Sequence, residues 1–457
     1  MTEVVQMRIP FIPGLALALT LATPLAAQSP AADAPPNIVL IITDDLGYAD
    51  IGSYGARDIR TPNLDRLARQ GVRFTDFYAN ATTCTPTRAG LITGRYQQRY
   101  GIEVPLSAAT APSPNPLSRS LEGSPYSLPR LLKGRGYATA LIGKWHLGYA
   151  ASQSPLAHGF DEFFGLKSGY HDYWHHNDSR GEPDLWEGDQ QVSAEGYTTD
   201  LLTARAVAFI EKQAGRPFFV DVAFNAPHWP FQRPGTPSRA ERNARFLKPE
   251  DSTTSTRADY AAMVEQLDRG VGEILDALER KGLTRNTIVI FTNDNGGEWL
   301  SDNGPFFNRK WTTWEGGIRV PAIVRWPARL PAGRVTPQVG MTMDFTASIL
   351  SAAGVVLPSE LRLDGMDLFP VLAGRAPVVE RTIFWRSTSP AGTMRAVRMG
   401  NLKLVTDANH SFLFDVQRDP GERNDLARAR QAQVRTLRQR LDEWEREVNA
   451  EATGRQP

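Results

Sequence analysis

Two pairs of oxygen-bearing side chains, Asp44-Asp45 and Asp294-Asn295, each follow a run of apolar, largely β-branched residues. Adjacent carboxylates repel unless a cation lies between them. A set made only of carboxylate and amide oxygens suits Ca²⁺ or Mg²⁺ rather than Zn²⁺. Asp and Asn near glycine are also frequent in turns, so spacing alone leaves a metal site and a pair of turns both open. The only cysteine, Cys84, begins Cys84-Thr85-Pro86-Thr87-Arg88. Thr85 suits a cap for a helix starting at Pro86 and stopping at Gly94. Cys84 would then sit at a helix N-terminus, where backbone N–H groups favour an anion, with Arg88 one turn on. Taken alone, a lone cysteine reads as a buried thiol, and a thiol nucleophile would want a partner base that the neighbouring sequence lacks.

The run from Cys84 to Arg95 resembles the Cys/Ser-x-Pro-x-Arg signature of the type I, formylglycine-dependent sulfatases of the alkaline phosphatase superfamily. Other segments resemble that family's landmarks in the family's order. They are Asp44-Asp45-Leu46-Gly47, Gly143-Lys144-Trp145-His146, residues 158–165, and Asn225-Ala226-Pro227-His228. Asp294-Asn295-Gly296, Lys310 ahead of Trp311, and Leu413-Phe414-Asp415 with Asp419-Pro420-Gly421-Glu422 complete the set. The resemblance implies oxidation of Cys84 to formylglycine. It implies Ca²⁺, with Mg²⁺ as the lesser alternative, held by Asp44, Asp45, Asp294 and Asn295 beside the modified Cys84. Arg88 would hold the formylglycine, and Lys144 and Lys310 would bind sulfate oxygens. His146 would serve the formylglycine hydroxyl and His228 would face the leaving oxygen. The implied reaction is hydrolysis of an aryl or carbohydrate sulfate ester, through hydrated formylglycine and a covalent sulfo-enzyme. A formylglycine-generating or sulfatase-maturing enzyme would be a partner.

Residues 170–178 pack three of the seven histidines among aromatics and acids. His171, Trp174 and His175 there are candidate substrate contacts, since aromatic faces with polar edges suit sugars or aryl groups. A transition-metal site at His171, His175 and His176, or a solvated loop, are the alternatives. Trp299, Trp311 and Trp314 are further candidates for the pocket rim. Two rival functions stay open: a phosphonate or phosphate ester hydrolase of the same superfamily, and a non-catalytic binder of sulfated glycans.

The elements that must position these groups follow from hydrophobic patterning. Residues 37–43 form a continuous apolar run, as expected of a strand buried on both faces of a parallel sheet. Similar runs recur at 138–142, 217–224, 287–292 and 320–324, with helical patterns at 64–70, 128–133, 199–212 and 257–281. This alternation predicts an α/β fold with a large, doubly wound, mostly parallel sheet. Residues 105–129 and 158–196 read as long loops, a common place for function. After Gly374, short strand patterns and a charged helix over 425–448 predict a small α+β C-terminal domain with an antiparallel sheet. The expected organisation is a signal peptide at 1–27, a linker at 28–36, a catalytic domain at 37–375 and the C-terminal subdomain at 376–457. The apolar run of the leader is too short and too interrupted by Pro and Gly for a membrane span, so the chain is expected to be exported, periplasmic or secreted. Among 457 residues the formal net charge is +1, which offers nucleic acid no electrostatic footprint.

Overall fold

The computed structural model describes residues 34–107, 118–213, 215–235, 255–389, 392–407 and 410–453. The expected signal peptide and most of the linker lie outside these residues. In the strand Asn37–Thr43, Ile38, Leu40 and Ile42 join one apolar cluster while Val39 and Ile41 join another. Side chains alternate across a strand, so a continuous apolar run is what burial on both faces requires. The first cluster takes in Ala89, Leu91 and Ile92 from the helix Cys84–Thr93 and Phe345 and Ile349 from the helix Thr342–Ala352. The second takes in the helices Thr198–Lys212 and Arg257–Arg280.

The large sheet has ten strands. Five consecutive strands at its centre are parallel, in the order Thr287–Asn293, Asn37–Thr43, Phe218–Ala223, Ala138–Lys144 and Glu162–Leu166. Outside them, Ala322–Arg325 runs antiparallel to Thr287–Asn293, and Trp186–Glu187 antiparallel to Glu162–Leu166. The expected α/β architecture is present, with three corrections. The stretch 158–196 is not one long loop, because it contains Glu162–Leu166 and the short strands Trp186–Glu187 and Gln190–Gln191. The helix Thr342–Ala352 has no counterpart in the sequence reading. The terminal helix spans Gln431–Ala452 and starts later than residue 425. Asp425 Oδ1 accepts from Leu413 N and Ala427 N, which holds its segment in a turn instead.

Near the C-terminus, Thr382–Ser389, Gly392–Met399, Leu402–Asp407 and His410–Asp415 form an antiparallel four-strand sheet. It packs with the terminal helix through Trp385, Leu404, Leu413, Leu437 and Leu441, and the same cluster includes Tyr78, Ile318 and Met341. Beneath it, Lys403 Nζ, fully buried, donates to Glu315 Oε1 at 2.8 Å and to Glu422 Oε1 at 2.9 Å.

Candidate active site

The register of the parallel strands builds the site. Thr43 lies opposite Asn293, Ile42 opposite Ala223, and Gly143 opposite Ala223. The chain therefore leaves neighbouring strand ends into Asp294-Asn295, Asp44-Asp45, the turn bearing His228, and Lys144 with His146. These ends form the carboxyl edge of the sheet, where open α/β folds bind ligands. Asn293, not singled out from the sequence, fixes the Asp44-Asp45 turn: its side chain accepts from Thr43 Oγ1 at 2.7 Å and donates to Leu46 O at 2.9 Å.

Cys84 is the first residue of its helix and Thr83 precedes it with extended backbone, so the helix starts two residues earlier than a cap at Thr85 would place it. Thr85 is drawn elsewhere: its hydroxyl donates to His146 O and accepts from Leu106 N, both at 3.0 Å. That ties the helix start to the His146 loop. The helix stops at Gly94, which takes the left-handed conformation. Burial pushes the Cys84 thiol above its ordinary range, against the pull of Lys144 and Lys310. The unmodified side chain is a neutral thiol and a poor nucleophile.

Ligand atoms of Asp44, Cys84 and Asp294 lie within 4.8 Å of one another, as do those of Asp44, Asp45 and His228. Asn295 Nδ2 donates to Asp45 Oδ1 at 2.7 Å. Asp44 Oδ1 and Asn295 Oδ1 are buried without a hydrogen-bond partner. Buried polar oxygens without partners are rare and call for an explanation, and a hard cation satisfies such oxygens. Cations surround the carboxylates. Arg88 Nη2 and Nε donate to Asp294 Oδ2 at 2.9 and 3.2 Å, and its Nη1 donates to Lys144 O at 3.1 Å. Lys144 Nζ pairs with Asp44 Oδ2 and donates to Gly169 O at 2.9 Å. Lys310 Nζ is 2.7 Å from Asp45 Oδ2 and 3.6 Å from Glu298 Oε2. Burial works against the charge on Asp44, yet Lys144, His228 and Arg88 hold its carboxyl well below the usual range.

The two site histidines are held differently. His146 Nε2 sits 2.8 Å from Leu106 O and must donate to that carbonyl, so the unpartnered Nδ1 is the acceptor. Burial, and then Lys144, keep this ring neutral. Gly169 permits the arrangement, because a Cβ there would stand 2.3 Å from His146 Cε1. His228 Nδ1 is bound to Trp229 O at 2.6 Å, so Nε2 faces Asp45 Oδ2 at 3.6 Å. Burial brings its pKa down to about 4 despite Asp44 and Asp45. In its neutral form that Nε2 accepts, and it donates only once the ring is protonated.

A cavity of ≈ 410 Å³ opens over Cys84, lined also by His146, His228, Lys310, Tyr170, Trp229, Trp299 and Trp311. The structure thus brings together Asp44, Asp45, Cys84, Arg88, Lys144, His146, His228, Asp294, Asn295 and Lys310. It does not bring His171, Trp174 or His175 to the cavity wall. His171 is buried and stacks on His176, with ring centroids 5.6 Å apart. Trp174 packs at a tilt against Tyr197, with centroids 5.1 Å apart, and His175 Nδ1 turns to Asp172 Oδ1. His171, His175 and His176 form no ligand cluster among the described residues. Trp314 also lies elsewhere, packed on Phe307, Phe412 and Phe414. Glu298, which accepts from Trp311 Nε1 at 3.1 Å, carries no sequence signal that marks it.

Comparison with known proteins agrees with this geometry. The Sulfatase family model matches residues 36–355, and the model of the N-sulphoglucosamine sulphohydrolase C-terminal region matches residues 303–447. The chain is 37% identical over 392 residues to N-acetylgalactosamine-6-sulfatase of Canis lupus familiaris, covering 81% of this chain and 71% of that protein. It is 33% identical over 462 residues to arylsulfatase A of Bos taurus, covering 90% and 86%. The crystal structure of Ps i-CgsB in complex with k-i-k-neocarrahexaose superposes with a TM-score of 0.81 at 30% identity, covering 92% of this chain and 94% of that one. With carboxylates, cations and a helix-start cysteine gathered at one sheet edge, and with relatives matched over most of their length, this chain belongs to the sulfatase family and is a sulfuric ester hydrolase.

Proposed function

We propose that the active protein carries formylglycine at position 84 and Ca²⁺ at Asp44, Asp45, Asp294 and Asn295, and that its substrate is a sulfated carbohydrate. The observation that carries the reading is the buried meeting of Cys84 with Asp44 and Asp294 within 4.8 Å, next to the unpartnered oxygens of Asp44 and Asn295. When present, the hydrated aldehyde supplies one hydroxyl for attack and a second for release of sulfate, and the cation offsets anionic charge. The chain's own groups do the rest. Lys144, Lys310 and Arg88 make the site attractive to a sulfate ester, whose charge otherwise repels a nucleophile. Acting as base, His146 takes a proton at Nδ1. His228 faces the ester oxygen through Nε2 and donates from its protonated form. Trp229, Trp299 and Trp311 form a rim suited to stacking on a sugar. The carbohydrate assignment also draws on the similarity to N-acetylgalactosamine-6-sulfatase.

Export through an N-terminal leader belongs to the same reading, as does a maturation enzyme acting on Cys84. Among the described residues no helix is long and apolar enough to cross a membrane. Mass spectrometry of the peptide containing residue 84 tests the proposal: formylglycine makes it about 18 Da lighter than the cysteine form. An unmodified peptide from protein that turns over a sulfate ester would falsify it.

A further inference from the structure

A second and larger cavity, ≈ 740 Å³, adjoins the catalytic one, and Glu298 and Trp299 belong to the walls of both. Its apolar side is Trp299, Leu300 and Phe306, and its polar side includes Asn303, Arg309 and Arg423. Trp299 is 38% exposed, and its ring lies tilted by 45° against Trp229 of the catalytic cavity, with centroids 5.8 Å apart. Phe306 is fixed from behind by Tyr48 and Arg319.

The two arginines are held at the backbone and free at the head. Asp419 Oδ2 accepts from Arg423 N at 2.9 Å, and the preceding Glu422 is locked on Lys403 and on Glu315 N at 2.7 Å. Arg309 N is held by Asn308 Oδ1, and Lys310 follows directly. Both guanidinium groups are exposed and neither makes an ion pair among the described residues. Of the acids in this cavity, Glu298 faces Lys310 and Trp311, while the exposed Asp302 accepts at Oδ1 from Gly304 N at 2.8 Å and makes no ion pair among the described residues.

We infer that this groove binds the sugar next to the one being desulfated, with Trp299 as the step between the two rings and Arg309 and Arg423 gripping an anionic group, sulfate or carboxylate, on that neighbour. The enzyme would therefore prefer polyanionic oligosaccharides over single sulfated sugars. A planar guanidinium presents paired donors that match sulfate and carboxylate oxygens, and an aromatic platform with flanking polar groups suits a pyranose face. The inference rests on the sulfated-carbohydrate reading above.

Calorimetric titration of the Cys84→Ala protein decides it without turnover. The probes are tetrasaccharides from chondroitin 6-sulfate, kappa-carrageenan and heparin, each beside its own sulfated monosaccharide. At least one tetrasaccharide should bind about tenfold or more tighter than its monosaccharide. Arg309→Ala and Arg423→Ala should each weaken that tetrasaccharide about fivefold, as expected for a partly solvated charge contact, and Arg423→Lys should weaken it less. Monosaccharide binding should stay unchanged. If no tetrasaccharide outbinds its monosaccharide, or the variants weaken both alike or neither, the groove is not a subsite. In the Cys84 protein, kcat/KM on 4-nitrophenyl sulfate should be unaltered by either arginine substitution. Absence of turnover on every sulfate ester would instead overturn the catalytic reading, while the titration still decides the groove.

Discussion

Replacing Lys403 by Met should destabilise the fold, and the loss should depend on pH in a way the structure specifies. Lys403 is fully buried between Glu315 and Glu422. After its removal Glu315 keeps Arg319 Nη1 at 2.9 Å and the Tyr78 hydroxyl at 2.7 Å on Oε2. Glu422 keeps only the Glu315 N–H at 2.7 Å. One carboxylate is therefore left without a cation, and breaking a buried pair in this way costs about 3–5 kcal/mol. Glu422 has an escape: burial already pushes its pKa up to about 7, with Lys403 opposing and Glu315 reinforcing the rise. A carboxyl whose folded pKa exceeds its unfolded value stabilises the fold below that unfolded value, and the contribution is lost as pH rises through the folded pKa. Without Lys403 that pKa rises further. The variant should fall short of the parent by about 3 kcal/mol or more at pH 8 and by less at pH 5, read from urea unfolding. Adding Glu422→Gln should recover about half the deficit at pH 8. Equal deficits at both pH values, or a further loss on adding Gln, would refute the reasoning.

Arg88→Lys keeps the charge but loses the fork that holds Asp294 and the Lys144 carbonyl; kcat on 4-nitrophenyl sulfate should fall about 10²-fold or more. Removing divalent metal with a chelator should abolish turnover and lower the unfolding temperature, because Asp44, Asp45 and Asp294 then depend on Lys144, Lys310 and Arg88 alone; Ca²⁺ should restore both better than Mg²⁺. His228→Ala should reduce kcat/KM about 10²–10⁴-fold on a sugar sulfate, whose alkoxide leaves poorly, and less than about tenfold on 4-nitrophenyl sulfate; equal losses on both would count against proton donation by His228.

Much of the site is legible along the chain because its chemistry is local. Asp44-Asp45 and Asp294-Asn295 sit where an apolar run ends, and such a run marks both a doubly buried strand and the edge at which ligands gather. Cys84 and Arg88 share one helix turn. The stretch 158–196 is less legible: Glu162–Leu166 is a strand whose Glu162 and Gly165 weaken its pattern, and the surrounding Pro, Gly and aromatic content reads as loop. The aromatic and histidine-rich run at 170–178 reads as a candidate substrate surface, yet His171 and Trp174 pack inward and Tyr170 reaches the cavity. Composition cannot tell which side of a turn faces a pocket.

Residue type and short-range period mark the oxygen-bearing pairs Asp44-Asp45 and Asp294-Asn295 at the ends of apolar runs and the segments that must be buried strands; the modification of Cys84 is implied only by the resemblance of its signature, since by type alone it reads as a buried thiol. Strand order is a tertiary property: the end of Thr287–Asn293 lies beside the end of Asn37–Thr43, about 250 positions away, with Phe218–Ala223 and Ala138–Lys144 next in line. That order follows from which apolar faces bury which, a property of the whole sheet and its helices that no local window contains. It pairs Lys144 with Asp44 and Lys310 with Asp45. Tertiary packing likewise brings Arg423, from the loop after the C-terminal sheet, to a groove that shares Glu298 and Trp299 with the cavity over Cys84.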